Sequence, residues 1–174
     1  MVGLLTKRLI LAPLTIRDAD ELFAVRGDPE AMAFWDWPSD ASPQVTAAIV
    51  EQLLRDVASG GTCVWTVRLR SEGSFVGLCD LSEIQAHPSA DIGFMLARRF
   101  WGLGLAQEVV AWVLEQARTL GLESVHARIH SGNNRSRRLL ERTGFMEVGE
   151  IFSCQIRPGV YRDCRRFEIF LGRR

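Results

Sequence analysis

The spacing of apolar and polar positions predicts short alternating strands toward both ends of the chain and long helical stripes between them. Arg8 to Pro13 alternates as a first strand does. Thr15, with Asp18 three residues on, resembles a capping box in which Asp stands where Glu is usual. It predicts a helix to about Val25 that buries Ala19, Leu22 and Phe23 before Gly27-Asp28-Pro29 breaks it. Ser42-Pro43 reads as a helix start, a capping residue followed by proline at the first helical position. Ala48, Ile49, Gln52, Leu53 and Val57 follow at helical spacing, and Gly60-Gly61 ends the run. Cys63–Leu69 and Phe75–Leu81 then read as an antiparallel hairpin turning at Ser71-Glu72-Gly73-Ser74.

His87-Pro88-Ser89 reads as a turn into a central strand whose apolar part is Ile92–Leu96, a buried run. Next comes a turn containing Gly102 and Gly104. Val109, Val110, Val113, Leu114, Ala117 and Leu120 then fall on one helical stripe up to a capping Gly121. Ser124 to His130 alternates as a strand, with Val125, Ala127 and Ile129 on one face. Ser131 to Asn134 caps a helix that runs to Thr143 and ends at Gly144. Glu147–Ile156 and Asp163–Leu171 read as the last strands, separated by Arg157-Pro158-Gly159. This order predicts an α+β fold with a mixed sheet, and without a repeat or linker the chain reads as a single domain, residues 1–174.

Composition narrows the function classes. The chain has 174 residues, 47% of them hydrophobic and 24% charged, as a one-domain globular protein with a sizeable core has. Lys+Arg and Asp+Glu both number 21, so no global field draws nucleic acid or an anionic membrane, and neither is expected as a partner. The arginines gather late, at Arg135, Arg137, Arg138, Arg142, Arg157, Arg162, Arg165 and Arg166. They read as a phosphate-facing rim plus solvated helix faces, with a nucleic-acid patch as the alternative. Cys63, Cys79, Cys154 and Cys164 show no pairing pattern, and with 3 scattered histidines no metal-ligand spacing arises. No run reaches membrane-spanning length and no leader is evident, so a cytoplasmic protein is expected.

Candidate chemistry begins at the strand–turn–helix order around Gly102 and Gly104. The first N–H groups of a helix have no partner within it, and the helix dipole puts partial positive charge there. An anion is stabilised at such an end, and glycines let it come close to the backbone. Arg98 and Arg99 add charge at the mouth. A P-loop would need Lys-Ser/Thr where Leu105-Ala106 stands, and a dinucleotide fingerprint would need a glycine where Gln107 stands. Phe34-Trp35-Asp36-Trp37-Pro38 reads either as a packed loop anchor or as one wall of an acceptor groove, with Asp36 suited to an amine.

Arg99-x-x-Gly102-x-Gly104-x-Ala106 resembles the acetyl-CoA pyrophosphate loop of the GNAT N-acetyltransferase superfamily, whose pattern is Gln/Arg-x-x-Gly-x-Gly/Ala. Asn133-x-x-Ser136, followed by a helix ending in Gly144-Phe145, resembles the family's second segment. The opening Thr6 to Leu14, with Asp18-Ala19, is similar to the branch that acetylates ribosomal-protein N-termini. Together these segments span nearly the whole chain.

The resemblance implies direct transfer of acetyl from acetyl-CoA, with no metal, to a primary amine such as a protein N-terminus. It also leaves room for a small-amine acceptor (a polyamine, amino sugar or toxin), for a homodimer and for a non-catalytic CoA-binding module. It implies that Asp91–Leu96 and Ser124–His130 are parallel strands that splay to admit the pantetheine, bound by the backbone of Phe94, Met95 and Leu96. Arg98, Arg99, Trp101, Gly102, Leu103, Gly104, Leu105 and Ala106 would hold the phosphates, and Asn133, Ser136 and Arg138 the cofactor arm. The family often places a tyrosine seven residues after the asparagine to protonate the leaving thiolate; here Leu140 occupies that position. Ser136, one helical turn earlier, is the expected substitute acid, with Tyr161, the only tyrosine, as the other candidate. Asp91, Glu83 and Asp80 are candidates for the base, acting directly or through water. Trp35, Asp36, Trp37 and Asp80 are expected around the acceptor.

Overall fold

The computed structural model describes residues 4–84 and 88–172, so His87 of the expected His87-Pro88-Ser89 turn falls outside the described residues. Eight strands form one sheet in the order β1-β2-β3-β4-β5-β6-β8-β7. They are β1 (Leu4–Leu5), β2 (Leu9–Pro13), β3 (Cys63–Leu69), β4 (Phe75–Ser82), β5 (Ser89–Leu96), β6 (Ser124–His130), β7 (Met146–Arg157) and β8 (Val160–Phe170). Four helices accompany it: α1 (Ala19–Arg26), α2 (Pro43–Ala58), α3 (Leu105–Thr119) and α4 (Asn134–Arg142). The two-residue β1 is too short to carry a period, and sequence spacing missed it. The last two strands are longer than expected, because Gly159 at φ 74° lets the chain turn between the paired Arg157 and Val160. Tyr161 therefore lies on β8 rather than in a loop.

Local chemistry explains the element ends. Thr15 N–H and Oγ1 both donate to Asp18 Oδ2, at 2.8 and 2.7 Å, so the expected capping box forms, opening a 3₁₀ turn that leads into α1. Ser42 stands at the N-cap position of α2, without a side-chain capping bond, and Pro43 is in the first turn; Asn133 Oδ1 accepts the Ser136 N–H at the start of α4. On α3 the buried Val109, Val110, Val113, Leu114 and Ala117 form the expected stripe. The ring of its Trp112 meets Trp65 of β3 edge-on at 5.2 Å. That contact places α3 on the sheet face carrying Trp65. By the alternation of strand side chains, Asp80, Gly93 and Asp91 lie on the other face.

One parallel pairing among the described residues interrupts the antiparallel sheet, and it is brief. β5 pairs with β6 only at Ser89↔Ser124, Ala90↔Val125 and Asp91↔His126, while its pairing with β4 continues to Leu96. Beyond Asp91 the two parallel strands diverge, as the family resemblance implied. Gly77 on β4 enforces close approach on the other side of β5, since a Cβ there would overlap the Met95 carbonyl.

Candidate active site

The divergence of β5 and β6 leaves Ile92–Leu96 without strand partners on the β6 side. Unpaired strand backbone is a template for an extended ligand bearing amides. A cavity of about 790 Å³ begins here, lined by Phe94, Met95 and Leu96. At one end it meets Trp101, Gly102, Gly104, Leu105 and Ala106, and along its flank Asn133, which caps α4, with Ser136, Arg138 and Arg142 of that helix. Its other wall is the connection between α1 and α2, at Glu30, Phe34 and Trp35. Residues from both sides of the sheet thus line one space.

The α3 end is built to receive an anion. Gly102 and Gly104 have φ of 77° and 74°, left-handed values that glycine adopts without strain. Gly104 is the residue that caps α3, so the free N–H groups of the first turn face the cavity end. The loop is fastened from behind. Arg8 Nη1 donates to the Leu103 carbonyl at 2.8 Å, and Arg8 Nε and N–H reach Glu108 in the first turn of α3 at 2.8 and 2.7 Å. Trp101 Nε1 donates to the last carbonyl of β5, Leu96 O, at 2.8 Å. Arg135 stacks over the Trp101 ring at 3.8 Å, and Arg138 and Arg142 follow on the same side of α4. The residues present fit a diphosphate at the glycines and a pantetheine along β5.

The comparisons agree with this geometry. Residues 8–146 match the family model described as an acetyltransferase (GNAT) domain. The chain belongs to the GNAT acetyltransferase family. It is 25% identical over 166 residues to the Bacillus subtilis protein named uncharacterized N-acetyltransferase YoaA, covering 94% of each chain. Its fold resembles that of spermidine N-acetyltransferase from Vibrio cholerae, solved with CoA and spermine, at a TM-score of 0.83 and 22% identity over 95% of this chain and 97% of that one. It also resembles RimL, the ribosomal L7/L12 alpha-N-protein acetyltransferase solved with coenzyme A, at a TM-score of 0.84 and 17% identity over 98% of each.

Within this GNAT domain some expected residues meet at the cavity and others do not. Phe94, Met95, Leu96, Trp101, Gly102, Gly104, Leu105, Ala106, Asn133, Ser136, Arg138 and Trp35 line it. Arg98 is instead drawn to Asp28, at 2.5 Å, and to Glu30. Arg99 donates to the Phe75 carbonyl at 3.2 Å and lies over the Phe100 ring, so neither arginine faces the mouth as expected. Leu103 is exposed and contributes its carbonyl to Arg8. Tyr161 is exposed on β8 and Trp37 on its loop, and neither lines the cavity. Leu140, at the tyrosine position of the family, is fully buried in the core.

The carboxylates differ in setting. Asp36 is not a free group waiting for an amine: its carboxylate pairs with Arg128 Nη2 at 2.5 Å and contacts His130 Nε2 at 3.1 Å. Two cationic or hydrogen-bonding side chains of β6 point at it because the α1–α2 connection crosses the end of that strand. Asp80 lies beside Gly93, where a Cβ would collide with its carboxylate. Burial, opposed by a hydrogen bond with Ser82 and reinforced by the charge of Asp91, pushes the Asp80 carboxyl up to about 7. Asp91 lies 3.8 Å from His126 Nδ1, and Glu168 lies 2.9 Å from His126 Nε2. Glu83 is exposed just past β4 at φ 61°.

Sequence reasoning missed His126 with Glu168, because the two residues are 42 apart in the chain and only the pairing of β6 with β8 brings them together. Of the late arginines read as a phosphate-facing rim plus solvated helix faces, Arg135, Arg138 and Arg142 line the cavity, recurring at i, i+3 and i+7 on one face of α4. Among the described residues no group of three potential metal ligands occurs, and no helix is long and apolar enough to cross a membrane.

Proposed function

We propose that this protein moves an acetyl group from acetyl-CoA directly to a primary amine. The amine enters from the face that carries Asp80, Asp91 and His126. The observation that carries this reading is the single cavity that joins the α3 N-terminus, the unpaired edge of β5 and the α1–α2 connection. Bound there, acetyl-CoA supplies an activated acyl thioester. The backbone of Phe94–Leu96 holds the pantetheine amides, and the N–H groups around Gly104 hold the diphosphate. Asp80 and Asp91 favour a cationic amine at the open end. Ser136, half-buried in the cavity wall, donates a proton to the departing thiolate. The acceptor is a protein N-terminus such as that of a ribosomal protein, or alternatively a small amine. Incubation with acetyl-CoA and either spermidine or an alanine-initiated peptide, followed by mass spectrometry of each amine, tests this. Acetylation of one of them is expected; acetylation of neither, with CoA still bound, would favour the second reading.

That second reading is a CoA-binding module without transferase activity. The buried leucine at the tyrosine position favours it, since Leu140 removes the phenol that protonates the thiolate elsewhere in the family.

A further inference from the structure

His130 ends β6 beneath the α1–α2 connection, its side chain only 6% exposed. Nε2 lies 3.1 Å from Asp36 Oδ1, while Nδ1 is buried without a hydrogen-bond partner among the described protein atoms. The ring meets Phe34, a cavity residue, edge-on at 6.4 Å. The His130 carbonyl accepts the N–H of Asn133, another cavity residue, at 2.8 Å. A buried polar atom without a partner calls for a functional explanation. An ionised carboxylate only accepts, so in the neutral imidazole Asp36 takes the Nε2–H and leaves the lone pair on Nδ1. A carboxylate on one ring nitrogen and a free lone pair on the other is the arrangement by which imidazole takes a proton from a nucleophile.

We infer that His130, oriented by Asp36, takes the proton from the acceptor amine through one water. This rests on the acetyl-transfer reading above. Through that water Nδ1 removes a proton from the ammonium, and the freed nitrogen pair bonds to the thioester carbon while the carbonyl π pair moves to oxygen. Return of that pair breaks the C–S bond, and the remaining surplus proton on nitrogen reaches the thiolate by way of the Ser136 hydroxyl. The imidazolium then releases its proton to solvent, so one proton is liberated per ammonium acetylated. The charged and titratable groups around the ring come from every neighbouring element. Asp36 comes from the connection, Arg128 from β6, and Cys164 from β8 as the register partner of His130. Arg157, at the end of β7, donates to the Asp36 carbonyl at 2.9 Å, and Cys154 of β7 lies 3.8 Å from Arg128 Nη1.

The test uses His130→Gln, whose amide still donates toward Asp36 but has no basic nitrogen, alongside Asp36→Asn. With acetyl-CoA and spermidine or an alanine-initiated peptide, His130→Gln should lower kcat on the order of 10²-fold. The KM for acetyl-CoA should stay unchanged, and the rising limb of the parental pH–rate profile should disappear. Long-range proton–nitrogen NMR, assigned by the loss of one histidine in His130→Gln, should show the Nε2–H tautomer in the parent. A Nδ1–H tautomer overturns the inference, as does a His130→Gln protein with the parental turnover and pH limb. A purely structural role would lower Tm and leave that limb in place. Failure of the parent to acetylate either amine counts against the acetyl-transfer reading, and the tautomer then decides alone whether Nδ1 is the free base.

Discussion

Asp80 carries the clearest electrostatic signature in the protein. Its folded pKa of about 7 lies above the ordinary 3.8, so the folded chain binds more protons than the unfolded one between those values. Stability from this group is therefore full below pH 4 and is lost as pH rises through 7. Asp80→Asn should raise Tm relative to the parent at pH 8 and leave it nearly unchanged at pH 4, as thermal denaturation at the two values would show. An equal shift at both would mean the carboxyl is not strained by its burial. Ser136 makes a second prediction at this scale. A thiolate needs only a modest acid, so Ser136→Ala should cut kcat by up to about 10²-fold while CoA affinity holds. Single-turnover rates beside a CoA titration would check it. The place of Ser136 in the cavity wall followed from the family resemblance, through the Asn133-x-x-Ser136 segment. The role of Asp36 was not legible in the sequence: as a tie to Arg128 and His130 it depends on a contact spanning 92 residues.

At the scale of elements, helices and inner strands followed from local rules. The apolar stripe of α3 is buried as expected, whereas α2 buries Thr46 and Val50 and leaves Ala48, Gln52 and Val57 of its expected stripe exposed; the Asn133 cap of α4 formed as expected. What local rules could not show is which strands pair. The brief contact of β5 with β6 is a property of the sheet, and only the family resemblance implied it. The α1–α2 connection gains its form from a buried tie at its base, where Arg26 Nε and Nη2 reach Asp40 at 2.7 and 3.0 Å and Thr46 Oγ1 donates to Asp40 at 2.6 Å. The α3 start bears the sharpest element-level prediction. Val is strained at the positive φ of Gly104, by roughly 1–2 kcal/mol from Cβ sterics alone. Gly104→Val should retract the first N–H groups and abolish CoA binding in calorimetry, with the core still folded by circular dichroism. Arg99→Ala, which removes a side chain engaged with Phe75 and Phe100, should leave CoA binding close to parental.

At the scale of the whole molecule, the sheet opens at one place and three elements converge there. On the proposed reading the α3 N-terminus takes the anionic end of the thioester cofactor, β5 takes its arm, and the amine enters on the face of Asp80 and Asp91. Both substrates would then meet at the thioester, and no side chain would need to carry the acetyl group. Initial rates measured over a grid of acetyl-CoA and amine concentrations test this arrangement most directly. Direct transfer in a ternary complex should give double-reciprocal lines that intersect. Parallel lines, the mark of an acetylated enzyme intermediate, would contradict it.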